Sequence, residues 1–176
     1  MSRGGLTIGL ISDTHGLLRP EALAEMEGSD HIVHAGDIGS AEVLEALGRI
    51  ARVTAIRGNN DTQAWARGLE ETRTIDLAGV RIHVIHDLAE LAGDPAERGI
   101  RVVVSGHSHI PRIAGAGPHP DGAGKPGVLY VNPGSAGPRR FRLPVSVGRL
   151  VVAKGEVTAR LVELAVAPAK RGAARR

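Results

Sequence analysis

The chain has 176 residues, enough for one domain with a sizeable core and too few for two well-packed ones. It contains no cysteine, which excludes disulfides, thiolate metal sites and cysteine nucleophiles, so any metal must be held by His, Asp, Glu or Asn. Net charge is only +3, and aromatic residues make up 2% of the chain against 42% hydrophobic residues, a composition poor in the rings on which single-stranded nucleic acid stacks.

The core must therefore be built from Val, Leu, Ile and Ala, with Trp65, Tyr130 and Phe141 as its only large rings. LTIGLIS (6–12) reads as a strand, and it is too short for a signal peptide or a membrane span. No other apolar run reaches bilayer length, and a soluble, cytoplasmic protein is expected. PEALAEMEG follows with apolar residues at helical spacing, then the strand HIVHAG (31–36) and the helix SAEVLEALGRI, with Ser40 as a candidate cap. The strands RVTAIRG (52–58) and VRIHVI (80–85) precede a helical segment, DLAELAGDPAERG, with Asp87 as its cap, and the strand IRVVVSG (100–106). This alternation predicts an α/β layer fold with a mostly parallel sheet. Gly and Pro then crowd residues 115–127, which read as a long surface loop. VLYVNPGS, VSVGRLVVA and VTARLVEL are further strands, the last two joined in a hairpin at KGE. One domain over residues 1–165 is expected, followed by a basic, disordered tail at 166–176 carrying Lys170, Arg171, Arg175 and Arg176.

In an open α/β sheet, ligands bind beyond the carboxyl ends of the strands. The residues that follow the five strands are Asp13 and His15 in SDTHG, Asp37 in HAGDIGS, Asn59 in RGNND, His86 in VIHDL, and His107 with His109 in SGHSH. Each turn places a metal-capable side chain there, usually beside a glycine. In extended chain, residues two apart point the same way, so Asp13 with His15, and His107 with His109, are expected to converge pairwise. His83 and His86 lie three apart and face opposite sides, so only His86, at the strand end, is assigned to the site. His31, His34, His83 and His119 are read as structural or surface histidines.

Taken together, D-x-H, GD, GN-x-D, the strand-end His86 and GHSH resemble the motif set of the calcineurin-like metallophosphoesterase superfamily, over residues 6–135. The compact length is similar to its small bacterial and archaeal phosphodiesterase branch. The resemblance implies a four-layer α/β/β/α sandwich with two metal ions side by side. By motif position, Asp13, His15 and His109 would hold the first ion, Asn59, His86 and His107 the second, and Asp37 would bridge them. It makes Mn the first expectation, with Fe, Co, Ni or Zn as alternatives, a choice that four imidazoles and an amide oxygen also favour over Ca or Mg. Arg57 resembles the arginine that grips phosphate in an RGN context in related protein phosphatases, and the expected catalytic set is Arg57, Asp37, Asn59, Asn60 and Asp61. NPGS (132–135) resembles the family's turn after a late strand, where Asn132 is expected to bond loop backbone near the site.

Two positions depart from the family. Asn60 stands where a His or Cys is usual, and an amide cannot supply a proton at neutral pH. Asp87 follows His86 where Gly is usual, and a helix cap is favoured for it over the orienting of a ligand histidine.

Two divalent ions set against Asp13, Asp37 and one bridging hydroxide would leave about one net positive charge, which suits an anionic phosphate ester. Coordination can lower the pKa of water toward about 7, so direct attack by hydroxide is expected. Ser12, Ser105 and Ser135 have no paired base that would make one of them a nucleophile. Without an acid at position 60, diesters with good leaving groups lose least. A phosphodiesterase acting on a small phosphate ester is therefore expected, with a phosphomonoesterase or nucleotide phosphatase as the alternative. A non-catalytic scaffold, as in the retromer subunit of this fold, is the alternative from another class; competent side chains at all seven ligand positions weigh against it. No membrane contact is expected, nucleic acid is not favoured despite RRFR (139–142) and the basic tail, and a homo-oligomer is left open.

Overall fold

In the computed structural model, which describes residues 4–115 and 127–166, the apolar strand β1 (Leu6–Ile11) is buried over its last four positions, as befits a strand covered on both faces. It runs parallel to β2 (His31–His34), which runs parallel to β3 (Arg52–Ala55). Helices α1 (Pro20–Met26) and α2 (Ala41–Gly48) make the crossovers. α1 begins at a proline whose missing N–H costs nothing at that position. Together the two helices bury Ala22, Met26, Val43 and Leu47 against Ile11, Ile32, Ala55, Val145 and Val147.

The second sheet comprises β4 (Thr72–Leu77), β5 (Val80–Ile85), β6 (Val102–Val104), β7 (Arg112–Gly115) and β8 (Leu129–Asn132), in the order β4-β5-β6-β8-β7. The chain then returns to the first sheet as β9 (Ser146–Ala153) and β10 (Glu156–Glu163), giving the order β10-β9-β1-β2-β3. The expected hairpin between them turns on Lys154 and Gly155, both at positive φ, the geometry of a two-residue loop that matches strand twist. Ile8, Leu10, Val33 and Ile56 of one sheet pack on Ile82, Val84, Val102, Val104 and Val131 of the other. This is the α/β sandwich implied by the motif resemblance.

Several local expectations change. Each sheet is mixed: the first is parallel from β1 to its edge β3 and antiparallel on the side of β9 and β10, and the second is parallel at its centre with antiparallel β4 and β7 at its edges. The exposed, charged edge strand β4 carries no apolar run that would reveal it. The helix expected over 87–99 is a single 3-10 turn, Leu88–Glu90, followed by irregular chain. Gly93 at φ 68° and Pro95 end any helix there. Consequently Ile85, Ile100 and Val103, on the outer face of the second sheet, are covered by Leu91, Val128 and Tyr130 rather than by a helix. Phe141 lies outside the core altogether, at 93% exposure. Ser40 holds the N-cap position of α2 without a side-chain bond, whereas Asp87 does cap its turn, accepting from Ala89 N–H at 2.9 Å. The tail and most of the 115–127 loop, with His119, lie outside the described residues. Among the described residues no helix is long and apolar enough to cross a membrane.

Three histidines are satisfied by hydroxyls: His31 by Thr54 at 2.8 Å, His83 by Thr74 at 2.9 Å and His34 by Thr14 at 3.0 Å. His34 is fully buried, and that burial holds its pKa down to about 4 despite the nearby Asp13 and Asp61. An unfolded histidine takes up its proton near pH 6.5, so between these values the unfolded state binds more protons and stability falls as pH falls. Urea unfolding with a chelator present should show His34 contributing a loss of about 2 kcal/mol between about pH 7 and pH 5. His34→Gln should remove that part of the slope; identical slopes in the two proteins would contradict the assignment.

Candidate metal centre

The turns that follow β1, β2 and β6 are built by left-handed backbone. Among the described residues, eight non-glycine positions have positive φ, and five of them are expected ligands: Asp13, His15, Asp37, His107 and His109. Such conformations cost roughly 1–3 kcal/mol each and persist only where surrounding structure enforces them. The pairs D-x-H and H-x-H thus converge through tight turns, not through the strand alternation that their spacing suggested. The turns brace one another: Asp13 N–H donates to Gly36 O at 3.0 Å, His15 N–H to Asp37 O at 2.9 Å, and His107 N–H to Asp13 Oδ2 at 3.1 Å. Glycine is required at two close approaches. A Cβ at Gly58 would strike the Asp37 carboxylate, and one at Gly106 would strike Ser12 Oγ and Asp13 Oδ2.

The side chains form two overlapping groups. Asp13, His15 and His109 offer ligand atoms within 4.8 Å of one another, and so do Asp13, Asp37 and His86. His109 Nε2 lies 3.2 Å from Asp13 Oδ1, His15 Nε2 lies 3.8 Å from Asp37 Oδ2, and His86 Nε2 lies 3.4 Å from the same oxygen. The His107 ring meets His86 edge-on at 5.3 Å, and its Nδ1 stands 3.1 Å from Asn59 Oδ1. His107 Nε2 is 3.7 Å from Asp87 Oδ2, so Asp87 both caps its turn and faces this histidine. All seven expected ligands therefore gather at one rim. Beside them Arg57, Gly58, Asn59, His86, Asp87 and His107 line a cleft of about 230 Å³.

Do these groups suit a cation? Asp13 and Asp37 are 0% and 2% exposed. Asp13 Oδ1 and His86 Nε2 are buried with no hydrogen-bond partner among the described residues, and both sit inside the cluster. His86 Nδ1 lies 2.7 Å from Ala35 O, which can only accept; the ring proton is thereby fixed at Nδ1 and the Nε2 lone pair turns toward Asp37. Burial disfavours the charged form of His86, but its contacts with Asp37 and Ala35 O and the charge of Asp13 outweigh this and raise its pKa. Burial likewise works to raise the pKa of Asp37, yet His86 and the two Asn60 groups hold it well below the usual carboxylate range. Burial lowers the pKa of His15, with Asp37 and Asp13 opposing and His109 and Arg140 assisting. Oxygen and imidazole donors around two buried carboxylates fit a divalent transition metal.

The remaining expected site residues hold the loops. Asp61 faces backbone: Oδ2 accepts from Ile38 and Gly58 N–H at 3.0 and 2.8 Å, and Oδ1 from Gly39 N–H at 2.9 Å, lacing the turn after β2 to the turn after β3. Asn60 donates to both oxygens of Asp37, from its backbone at 2.9 Å and its amide at 2.6 Å. Arg57 stands at the mouth of the cleft, paired with Glu71 at 2.6 Å. Glu71 drew no attention in the sequence because the edge strand it precedes carries no pattern. Ser12, which has no paired base, donates its hydroxyl to Asp13 Oδ2 at 2.7 Å and orients it. Asn132 donates to Gly106 O at 2.7 Å, the loop contact its motif suggested.

The family domain described as "Calcineurin-like phosphoesterase superfamily domain" matches residues 6–155. The chain belongs to the calcineurin-like phosphoesterase superfamily. Within curated members, a probable metallophosphoesterase of Methanocaldococcus jannaschii is 33% identical over 145 residues, which span 75% of this chain and 69% of that protein. Vacuolar Protein Sorting 29 from Cryptosporidium parvum superposes with a TM-score of 0.67 at 18% identity, covering 91% of this chain and 98% of that one. An archaeal phosphodiesterase does so with a TM-score of 0.63 at 21% identity, covering 89% of this chain and 100% of that one. At such identities the solved structures share the superfamily fold and say nothing more. Superfamily membership and the carboxylate–imidazole cluster together support a metal-dependent phosphoester hydrolase.

Two measurements follow from this geometry. Asp61→Ala leaves three backbone N–H groups without their acceptor and should destabilise the protein by about 3 kcal/mol in urea unfolding, beyond the loss expected of a surface carboxylate. A change within the surface range would show that the lacing is dispensable. Because the raised pKa of His86 keeps part of the population protonated near neutrality, and a ligand must be neutral, Mn binding should release protons and weaken as pH falls. Calorimetric titration in buffers of different ionisation heat reads this directly; buffer-independent heats would contradict it.

Proposed function

We propose that this chain is a phosphodiesterase that works with two divalent transition metal ions, Mn first among them. Asp13, His15 and His109 would hold one, Asn59, His86 and His107 the other, and Asp37 both. The observation that carries the reading is the pair of buried carboxylates, with Asp13 Oδ1 and His86 Nε2 unpartnered among the described residues, ringed by four imidazoles from three separate loops. Such a cluster is unstable as a structural device, since buried charge without full partners costs several kcal/mol per ion by rough estimate.

Bound there, divalent ions would lower the pKa of water toward about 7 and offset charge on phosphoryl oxygens. The chain's own residues supply the positioning. Asn60 and Ser12 fix Asp37 and Asp13, Asp61 fixes the loops that carry Asp37 and Asn59, and Arg57 offers a guanidinium fork at the cleft mouth for which a phosphate would compete with Glu71. The preference for diesters rests on position 60. Its amide is engaged by Asp37 and has no proton to give, so a leaving oxygen must depart unassisted by this residue.

Assays should use a panel of mono- and diesters across Mn, Fe, Co, Ni and Zn. Asp37→Asn should lower kcat/KM on bis(p-nitrophenyl) phosphate by at least about a hundredfold, whereas His31→Ala should leave turnover nearly intact. Asn60→His should help esters with poor leaving groups more than those with good ones. Equal effects on both would refute the leaving-group argument, and full metal occupancy without hydrolysis of any phosphate ester would favour a binding scaffold.

A further inference from the structure

Phe141 is the only phenylalanine of the chain, in a protein with one tryptophan and one tyrosine besides, yet it is 93% exposed. An aromatic ring buries about 150–250 Å² when it packs, so a core this poor in rings forgoes a large stabilisation by leaving one in water. Scarcity of aromatics weighs against an extended single-strand groove; it also makes the exposure of this ring informative. Arg139, Arg140 and Arg142 flank it in sequence, all exposed, and none has a side-chain hydrogen bond or ion pair among the described residues.

The loop is anchored on the candidate metal centre. Ser135 Oγ donates to Asp13 O at 2.9 Å, Ala136 N–H to Ser12 O at 3.0 Å, and Arg19 Nε to Gly137 O at 3.1 Å. Gly137 presses on the Thr14 carbonyl so closely that a Cβ could not fit. Three residues further on, Arg140 stands exposed to solvent. Leu143 N–H then donates to Arg140 O at 3.0 Å, closing a turn with Phe141 at its first corner and φ at 52°. That left-handed conformation is rare for an aromatic residue, and here it accompanies a ring held away from the body.

We propose that residues 139–142 bind the nucleoside portion of a phosphodiester substrate, with the base stacked on Phe141 and the phosphate groups met by Arg140 and Arg142. The assignment rests on the phosphodiesterase reading and names its substrate class. Stacking needs a ring face free in solvent, and guanidinium forks match phosphate oxygens. Continuity with the centre selects this occupant over a lipid surface, because the segment that leads into this loop is hydrogen-bonded to the Ser12 and Asp13 backbone.

Two esters that share the p-nitrophenolate leaving group isolate the effect: the p-nitrophenyl ester of thymidine 5′-phosphate and methyl p-nitrophenyl phosphate. Wild type should favour the nucleoside ester, and Phe141→Ser should lower the ratio of the two kcat/KM values about tenfold, chiefly through KM, while Phe141→Trp preserves it. An unchanged ratio overturns the proposal and leaves the phosphodiesterase reading standing. Independently of turnover, fluorescence anisotropy of a labelled oligothymidylate, with chelator present, should show binding weakened about tenfold by Phe141→Ser and by added salt. Equal affinity of wild type and variant would overturn the proposal, as would Phe141-dependent binding to anionic phosphatidylserine vesicles in place of the oligonucleotide. Loss of turnover on both esters with retained anisotropy would count against the hydrolase reading alone.

Discussion

Two carboxylates, Asp13 and Asp37, are held almost completely out of water at the seam where the ends of both sheets meet. Removing an anion from water is costly unless positive charge or donors replace the solvent, and here the replacement is incomplete: among the described residues Asp13 Oδ1 and His86 Nε2 are both buried without a hydrogen-bond partner. Much of the surrounding structure serves to keep that arrangement from relaxing. Left-handed turns at five ligand positions, glycines where backbone crosses carboxylate, and the Asp61 lacing between loops each oppose a local preference of the chain. Strain concentrated in this way is a mark of a functional site, and a multivalent cation is the partner that would relieve it.

The sandwich explains how so many loops reach one place. β1, β2 and β3 lie side by side and parallel, so their carboxyl ends bring Asp13, Asp37 and Asn59 to one rim; β5 and β6, parallel in the other sheet, bring His86, His107 and His109 to the same rim. The apolar layer between the sheets, from Ile8 and Leu10 to Val84 and Val104, fixes the separation of the two sets. Acid residues come mainly from one sheet and imidazoles mainly from the other. Packing of the sandwich and integrity of the candidate centre are therefore coupled, and a core substitution between the sheets would be felt at the candidate ligands.

Much of this was legible in the sequence because buried strands announce themselves by apolar runs, and the residues beyond their ends were chemically unusual in concert. Other features carried no local signal. β4 is exposed and charged, so nothing distinguished it from a loop, and with it Glu71, the partner of Arg57, was invisible. The segment after His86 showed helical spacing, but Gly93 and Pro95 decided its backbone. The motif GN-x-D drew attention to Asn60 and Asp61 as groups that act on substrate; their bonds to Asp37 and to loop amides depend on distant turns that no spacing encodes. Phe141 was assigned to the core by hydrophobicity alone, and only the three-dimensional placement shows it in solvent beside arginines.

Anomalous diffraction from crystals soaked in Mn tests the central claim most directly. The account predicts two peaks flanking Asp37, one within bonding distance of Asp13, His15 and His109 and the other of Asn59, His86 and His107. Peaks away from Asp37, or none at this rim at saturating metal, would contradict it.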